Sequence, residues 1–126
     1  MRKSVVTIFD DVVAGTPSFS VYTDVRYNEI LGQFDKLSIH VITDQVTNIT
    51  AFTIDLEDSN DGRNWHTKNA SWVSHASLAA NNQYQDTATD AGTTPMLALG
   101  RLKITATTGT AGSLHMKIAA CLRDDS

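Results

Sequence analysis

The sequence predicts an all-β domain: an antiparallel β-sandwich, jelly-roll-like, with about eight strands and at most one short helix. Two observations predict it. Apolar residues recur at every second position in four separate segments, and clusters of Gly, Asn, Asp and Ser separate the segments. Helical periodicity is thin by comparison.

The four alternating segments come first. Leu37, Ile39 and Val41 alternate with Ser38 and His40, and Phe52, Ile54 and Leu56 with Thr53, Asp55 and Glu57. Leu102, Ile104 and Ala106 alternate with Lys103, Thr105 and Thr107; Leu114, Met116, Ile118 and Ala120 alternate with His115, Lys117 and Ala119. Side chains in a strand point to opposite faces in turn, so each segment has one face for a core and one for water. Weaker strands are expected over 4–13, over 19–27 (opened by Phe19, Val21 and Tyr22), over 65–67 and over 72–78. The segment 27–32 reads as one helical turn stopped by Gly32, and 77–83 is open to a helix through Ala79 and Ala80. The polar stretch 81–95, with Gly92 and Pro95, reads as a long loop. Gly109 and Gly112 mark 108–112 as a hairpin loop, and Ser59-Asn60-Asp61-Gly62 is the strongest turn in the chain.

A chain of 126 residues with 41% hydrophobic content forms one domain with a sizeable core. The N-terminal strand, 4–13, either closes the sandwich or serves as an arm onto a neighbouring subunit. The net charge is −4 and the ten Lys and Arg residues are scattered, so nucleic-acid and anionic-membrane partners are disfavoured. The single cysteine, Cys121, permits no intrachain disulfide and no cysteine-based zinc site; it reads as a buried, inert thiol. The first apolar run is too short for a signal peptide and ends in Asp10-Asp11, so the expectation is a protein made and kept in a cytoplasm.

Catalytic constellations do not emerge. His40, His66, His75 and His115 lack the i,i+2 or i,i+4 spacing of a local metal site. The acidic cluster Asp55, Glu57, Asp58, Asn60 and Asp61 brings its Gly62 one position too early for an EF-hand, so a hairpin turn accounts for it better; Asp86 and Asp90 read as solvated loop. No nucleophile elbow or phosphate loop is present. The expectation is no enzyme, no cofactor and no metal. The candidate partner-binding residues are aromatic: Trp72, Tyr84 and Tyr22. Trp65, directly after the 59–62 turn, reads as a structural ring folded back over the hairpin.

The segment from Phe52 through Ser59-Asn60-Asp61-Gly62 to Trp65 resembles a strand, turn and tryptophan of small β-sandwich virion proteins of tailed phages. The segments 99–108 and 114–122 look like their closing hairpin. The resemblance implies a capsid decoration (cement) or head-tail accessory protein. Such a protein would be assembled in the host cytoplasm and form a homo-oligomer, a trimer in first place. It would stabilise the virion by binding major capsid or tail subunits, and the resemblance brings no catalytic residues. The alternative is a carbohydrate- or ligand-binding sandwich module.

Overall fold

The computed structural model describes residues 2–16, 18–34, 36–80, 82–89, 96–108 and 110–124. Asn81, Asp90, Gly92, Pro95 and Gly109 lie outside the described residues. The strands are β1 (Arg2–Gly15), β2 (Phe19–Tyr22), β3 (Lys36–Thr47), β4 (Ala51–Ser59), β5 (His66–His75), β6 (Tyr84–Thr89), β7 (Leu99–Thr107) and β8 (Gly112–Asp124). They form two four-stranded antiparallel sheets, A in the order β1-β8-β3-β6 and B in the order β2-β7-β4-β5. This is a jelly-roll sandwich, in which successive strands largely pass from one sheet to the other.

Alternation sets the core. Leu37, Ile39, Val41, Leu114, Met116, Ile118 and Ala120 face inward from sheet A and are buried, as are Phe52, Ile54, Leu56, Leu102, Ile104 and Ala106 from sheet B. One helix, α1 (Asn28–Gly32), follows a 3-10 turn at Val25–Tyr27 and drops Leu31 into the core. It comes so close to the segment leading into β7 that a Cβ on Gly32 would stand 2.1 Å from the Ala98 carbonyl oxygen. The helix therefore ends at a residue without a side chain.

Several expectations are corrected. The strand opened by Phe19 ends at Tyr22, because Asp24 caps the 3-10 turn by accepting from Arg26 N at 3.0 Å. The segments 65–67 and 72–78 belong mostly to one strand, β5, whose pairing with β4 shifts register twice between Ile54 and Glu57. Tyr84–Thr89 is a strand and not loop, and the described residues of 77–83 form no helix. The strands on either side of 108–112 form no hairpin: β7 lies in sheet B and β8 in sheet A, so these strands do not pair. The hairpin expected for 99–122 is absent for the same reason. The N-terminal strand pairs with β8 from Arg2↔Asp124 to Gly15↔Gly112 and so closes its own sheet.

Candidate functional site

The β4–β5 turn is built around Ser59 and Asp61. The buried Ser59 hydroxyl donates to the Asn64 carbonyl at 2.7 Å and accepts from the Asp61 and Gly62 amides at 3.2 and 3.0 Å. The Asp61 carboxylate accepts from the Asn64 and Arg63 amides at 2.8 and 2.9 Å and from the Asn64 side chain at 2.8 Å. These donors, led by the Asn64 amide, hold the Asp61 carboxyl far below the usual carboxylate range. Asn60 Oδ1 accepts from Ala98 N at 2.9 Å, and the buried Asp58 accepts from Leu97 N at 3.2 Å and His66 Nδ1 at 2.9 Å. The turn is thus a rivet between the β4–β5 hairpin and the segment leading into β7. Gly62 takes φ +73°, where a side chain would be strained.

Beside the turn, the outer face of sheet B carries a stack. The Arg101 guanidinium lies 4.1 Å from the Tyr22 ring centre and 4.2 Å from that of Trp65, and its Nε donates to Glu57 at 2.7 Å. The Trp65 ring thus lies against Arg101 of β7. In register beside it, Asp55 stands opposite Lys103, so this face carries charge of both signs.

The other aromatic candidates are not brought to Tyr22. Trp72 is half-buried against the core. Tyr84 lies on β6 in sheet A, where its hydroxyl accepts from Ala79 N at 2.8 Å and its ring meets His75 edge-on at 4.5 Å. His75 donates to Asp86 at 2.9 Å, tying β5 of one sheet to β6 of the other.

The outer face of sheet A differs. Strand register sets its rows: Lys3–Arg123–Lys36, then Val5–Cys121–Ser38–Thr89, then Thr7–Ala119–His40–Thr87. Next come Asp10–Lys117–Ile42–Gln85 and Val12–His115–Asp44. The second and third rows hold small or uncharged side chains around a shallow depression of about 480 Å³, with Val5 69% exposed at its rim. Cys121 lines this depression and is only partly covered, not the buried thiol expected.

At one end of the same face, His115 Nε2 lies 2.7 Å from Asp10 and Nδ1 lies 2.9 Å from Asp44. A neutral imidazole carries one N–H and can donate to only one carboxylate, so this arrangement is that of the imidazolium. The hydrogen bond to Asp10, then that to Asp44, raises the His115 pKa above its usual value. Among the described residues no group of His, Cys, Asp and Glu is arranged to hold a metal ion, and no helix is long and apolar enough to cross a membrane.

No family model and no curated protein sequence matches the chain. Solved structures do. The exported protein XepA of PBSX superposes with a TM-score of 0.56 at 13% identity, over 98% of this chain and 38% of that one. A chain of infectious bursal disease virus, Gx strain, superposes with a TM-score of 0.53 at 14% identity, over 99% of this chain and 32% of that one. The C-terminal family 22 carbohydrate-binding module of Clostridium thermocellum Xyn10B gives 0.55 at 7% identity, over 92% of this chain and 73% of that one. What they share with this chain is the fold. The chain spans about a third of the length of the first two. Sequence reasoning missed the Tyr22–Arg101–Trp65 stack and the Asp10–His115–Asp44 cluster, because each joins residues far apart in the chain.

Proposed function

We propose that the chain is a non-catalytic structural protein of a phage virion, a capsid decoration or head-tail accessory protein that stabilises the particle by binding neighbouring subunits. The observation that carries this reading is the outer face of sheet A, whose uncharged centre and exposed Val5 suit contact with protein better than contact with water. Two further features support it. The described histidines and buried carboxylates are spent on holding strands together, as in His75–Asp86 and Arg101–Glu57. The 52–65 segment carries the likeness to phage sandwich proteins, and its turn is stiffened as a scaffold needs.

The test is co-sedimentation of the purified protein with empty capsids, assembled from the major capsid protein encoded nearest to its gene. Saturable binding at a fixed ratio to capsid subunits is expected. Protein that stays in the supernatant at every concentration would reject the reading.

Carbohydrate binding is the second reading, favoured by the exposed Tyr22 ring on the same face as Trp65. It is placed second because Arg101 fills the space between the rings, leaving no flat pair free to stack on a sugar. A change in Trp65 fluorescence on adding xylo-oligosaccharides would reverse this order.

A further inference from the structure

We propose that the cleft between the edges of the two sheets, where β1 runs past Tyr22 and the Val25–Tyr27 turn, binds a neutral sugar ring. This goes beyond subunit binding and does not depend on it. It also differs from the sugar reading placed second above, because the ligand sits in the seam between the sheets and not on the Tyr22–Trp65 face.

A sandwich has two seams, where an edge strand of one sheet stands over an edge strand of the other. Here β6 stands by β5, and β1 by β2. The β5–β6 seam is tied: His75 of β5 donates to Asp86 of β6 at 2.9 Å, and its ring meets Tyr84 at 4.5 Å. The β1–β2 seam is not. Among the described residues no hydrogen bond or ion pair joins β1 to β2 or to the Val25–Tyr27 turn. A cleft of about 300 Å³ lies between them.

The course of β1 shows why the seam stays open. The strand carries an extra residue, Ile8, at the bulge between Thr7 and Phe9. Beyond the bulge Asp11 stands opposite Met116, whose side chain is wholly buried, so Asp11 takes a core-facing position on an edge strand. A carboxylate is tolerated there only because water reaches it through the seam, and Asp11 is exposed.

Asp10 and Asp11 line one wall of the cleft, and Tyr22, Asp24, Arg26 and Tyr27 line the other. Each carboxylate uses one oxygen locally. Asp10 Oδ1 bonds His115 at 2.7 Å, Asp11 Oδ1 accepts from Val12 N at 2.7 Å, and Asp24 Oδ1 accepts from Arg26 N at 3.0 Å. The second oxygen of each carries no hydrogen bond among the described residues. The Arg26 guanidinium rests 4.9 Å from the Tyr27 ring centre, with Nε 4.0 Å from Asp24, which leaves its N–H groups free to donate. Tyr22 is 44% exposed beside them.

This set of groups selects the ligand by exclusion. An anion would meet three carboxylates. A cation would meet Arg26 and, at Asp10, His115 and Lys117 as well. A neutral sugar meets neither obstacle. Each sugar hydroxyl both donates and accepts, so neighbouring hydroxyls give to the spare carboxylate oxygens and take from Arg26, while a C–H face rests on Tyr22. The volume is at the low end of small-ligand pockets, about 300–1,000 Å³, which suits the end of a glycan and not a length of polysaccharide. Such contacts are weak singly, and a particle that presents many copies multiplies them.

The experiment is titration of the isotope-labelled full chain with the methyl glycosides of glucose, galactose, mannose and xylose, followed through backbone amide shifts. At least one glycoside is expected to give saturable shifts confined to residues 7–11 and 22–27, unchanged by added salt. The double variant Asp11→Asn with Asp24→Asn keeps in each side chain an oxygen for the backbone amide it now serves; it is expected to keep the wild-type amide pattern elsewhere and to bind about tenfold more weakly. Trp65→Ala is expected to bind as the wild type does. Saturable shifts with none of the four glycosides would overturn the proposal. So would shifts at these residues with spermine alone, or binding that is lost in Trp65→Ala and kept in the double variant. Particle binding is read separately. A protein that sediments with capsids and ignores every glycoside sinks the sugar cleft and leaves subunit binding standing, whereas one that binds a glycoside and ignores capsids does the reverse.

Discussion

Ser59 does three jobs with one oxygen. It sits at the end of β4 with a side chain too short to reach water, so its hydroxyl serves the turn's own backbone: one bond given to Asn64, two taken from Asp61 and Gly62. Ser59→Ala leaves these groups without their partner, and a loss of about 1–3 kcal/mol is expected in urea unfolding. Gly62→Val is expected to cost roughly 1 kcal/mol or more, because valine at φ +73° is strained; an unchanged melting temperature would count against this turn. The Ser-Asn-Asp-Gly signal was legible because turn chemistry is local. What it fastens was not: Ala98 N reaches Asn60 from 38 positions away, and nothing in the local pattern announces that bond.

At the scale of elements, β8 is held to both neighbours through His115. The folded state binds the proton more tightly than the unfolded chain does, since the His115 pKa is raised by Asp10 and Asp44. The stabilisation is therefore complete below the ordinary histidine value of about 6.5 and fades as pH rises through the higher folded value. His115 is partly exposed and Lys117 lies in register beside Asp10, so solvent and a neighbouring cation temper the effect. The expected result is that the melting temperature of the wild type, relative to His115→Asn, falls between mildly acidic and mildly alkaline pH. A parallel pH profile for the two proteins would reject the imidazolium clip.

Elements were legible where one face is dry and the other wet, as in Phe52/Ile54/Leu56. β6 was not legible because its inward residues are Tyr84, Asp86 and Ala88, and Asp86 is there to hold His75. The passage from β7 in one sheet to β8 in the other escaped for a different reason. Alternation tells which face of a strand is dry, but two successive alternating strands look the same whether they share a sheet or face each other across the core.

For the whole molecule, the two sheets stand or fall together. Ile54 is wholly buried between them, paired with Ile104 on one side and Val73 on the other. Ile54→Asp places an unpaired carboxylate there, and the expected outcome is loss of the cooperative unfolding transition; a native circular dichroism spectrum would contradict the inward assignment. The layered architecture was readable from periodicity alone. The surfaces were not, because the contrast between a charge-laced sheet B and a sheet A bare at its centre depends on which strands become neighbours.

The order of strands has a consequence for biosynthesis. β7 and β8 are made after the other six strands, yet each lies inside its sheet: β8 between β1 and β3, and β7 between β2 and β4. Until β7 and β8 have left the ribosome, β1 has no neighbour to pair with and the oily sides of β3 and β4 have no complete layer to rest against. Such a sandwich closes only once β7 and β8 are made, and until then its half-made sheets are open to any other extended segment nearby.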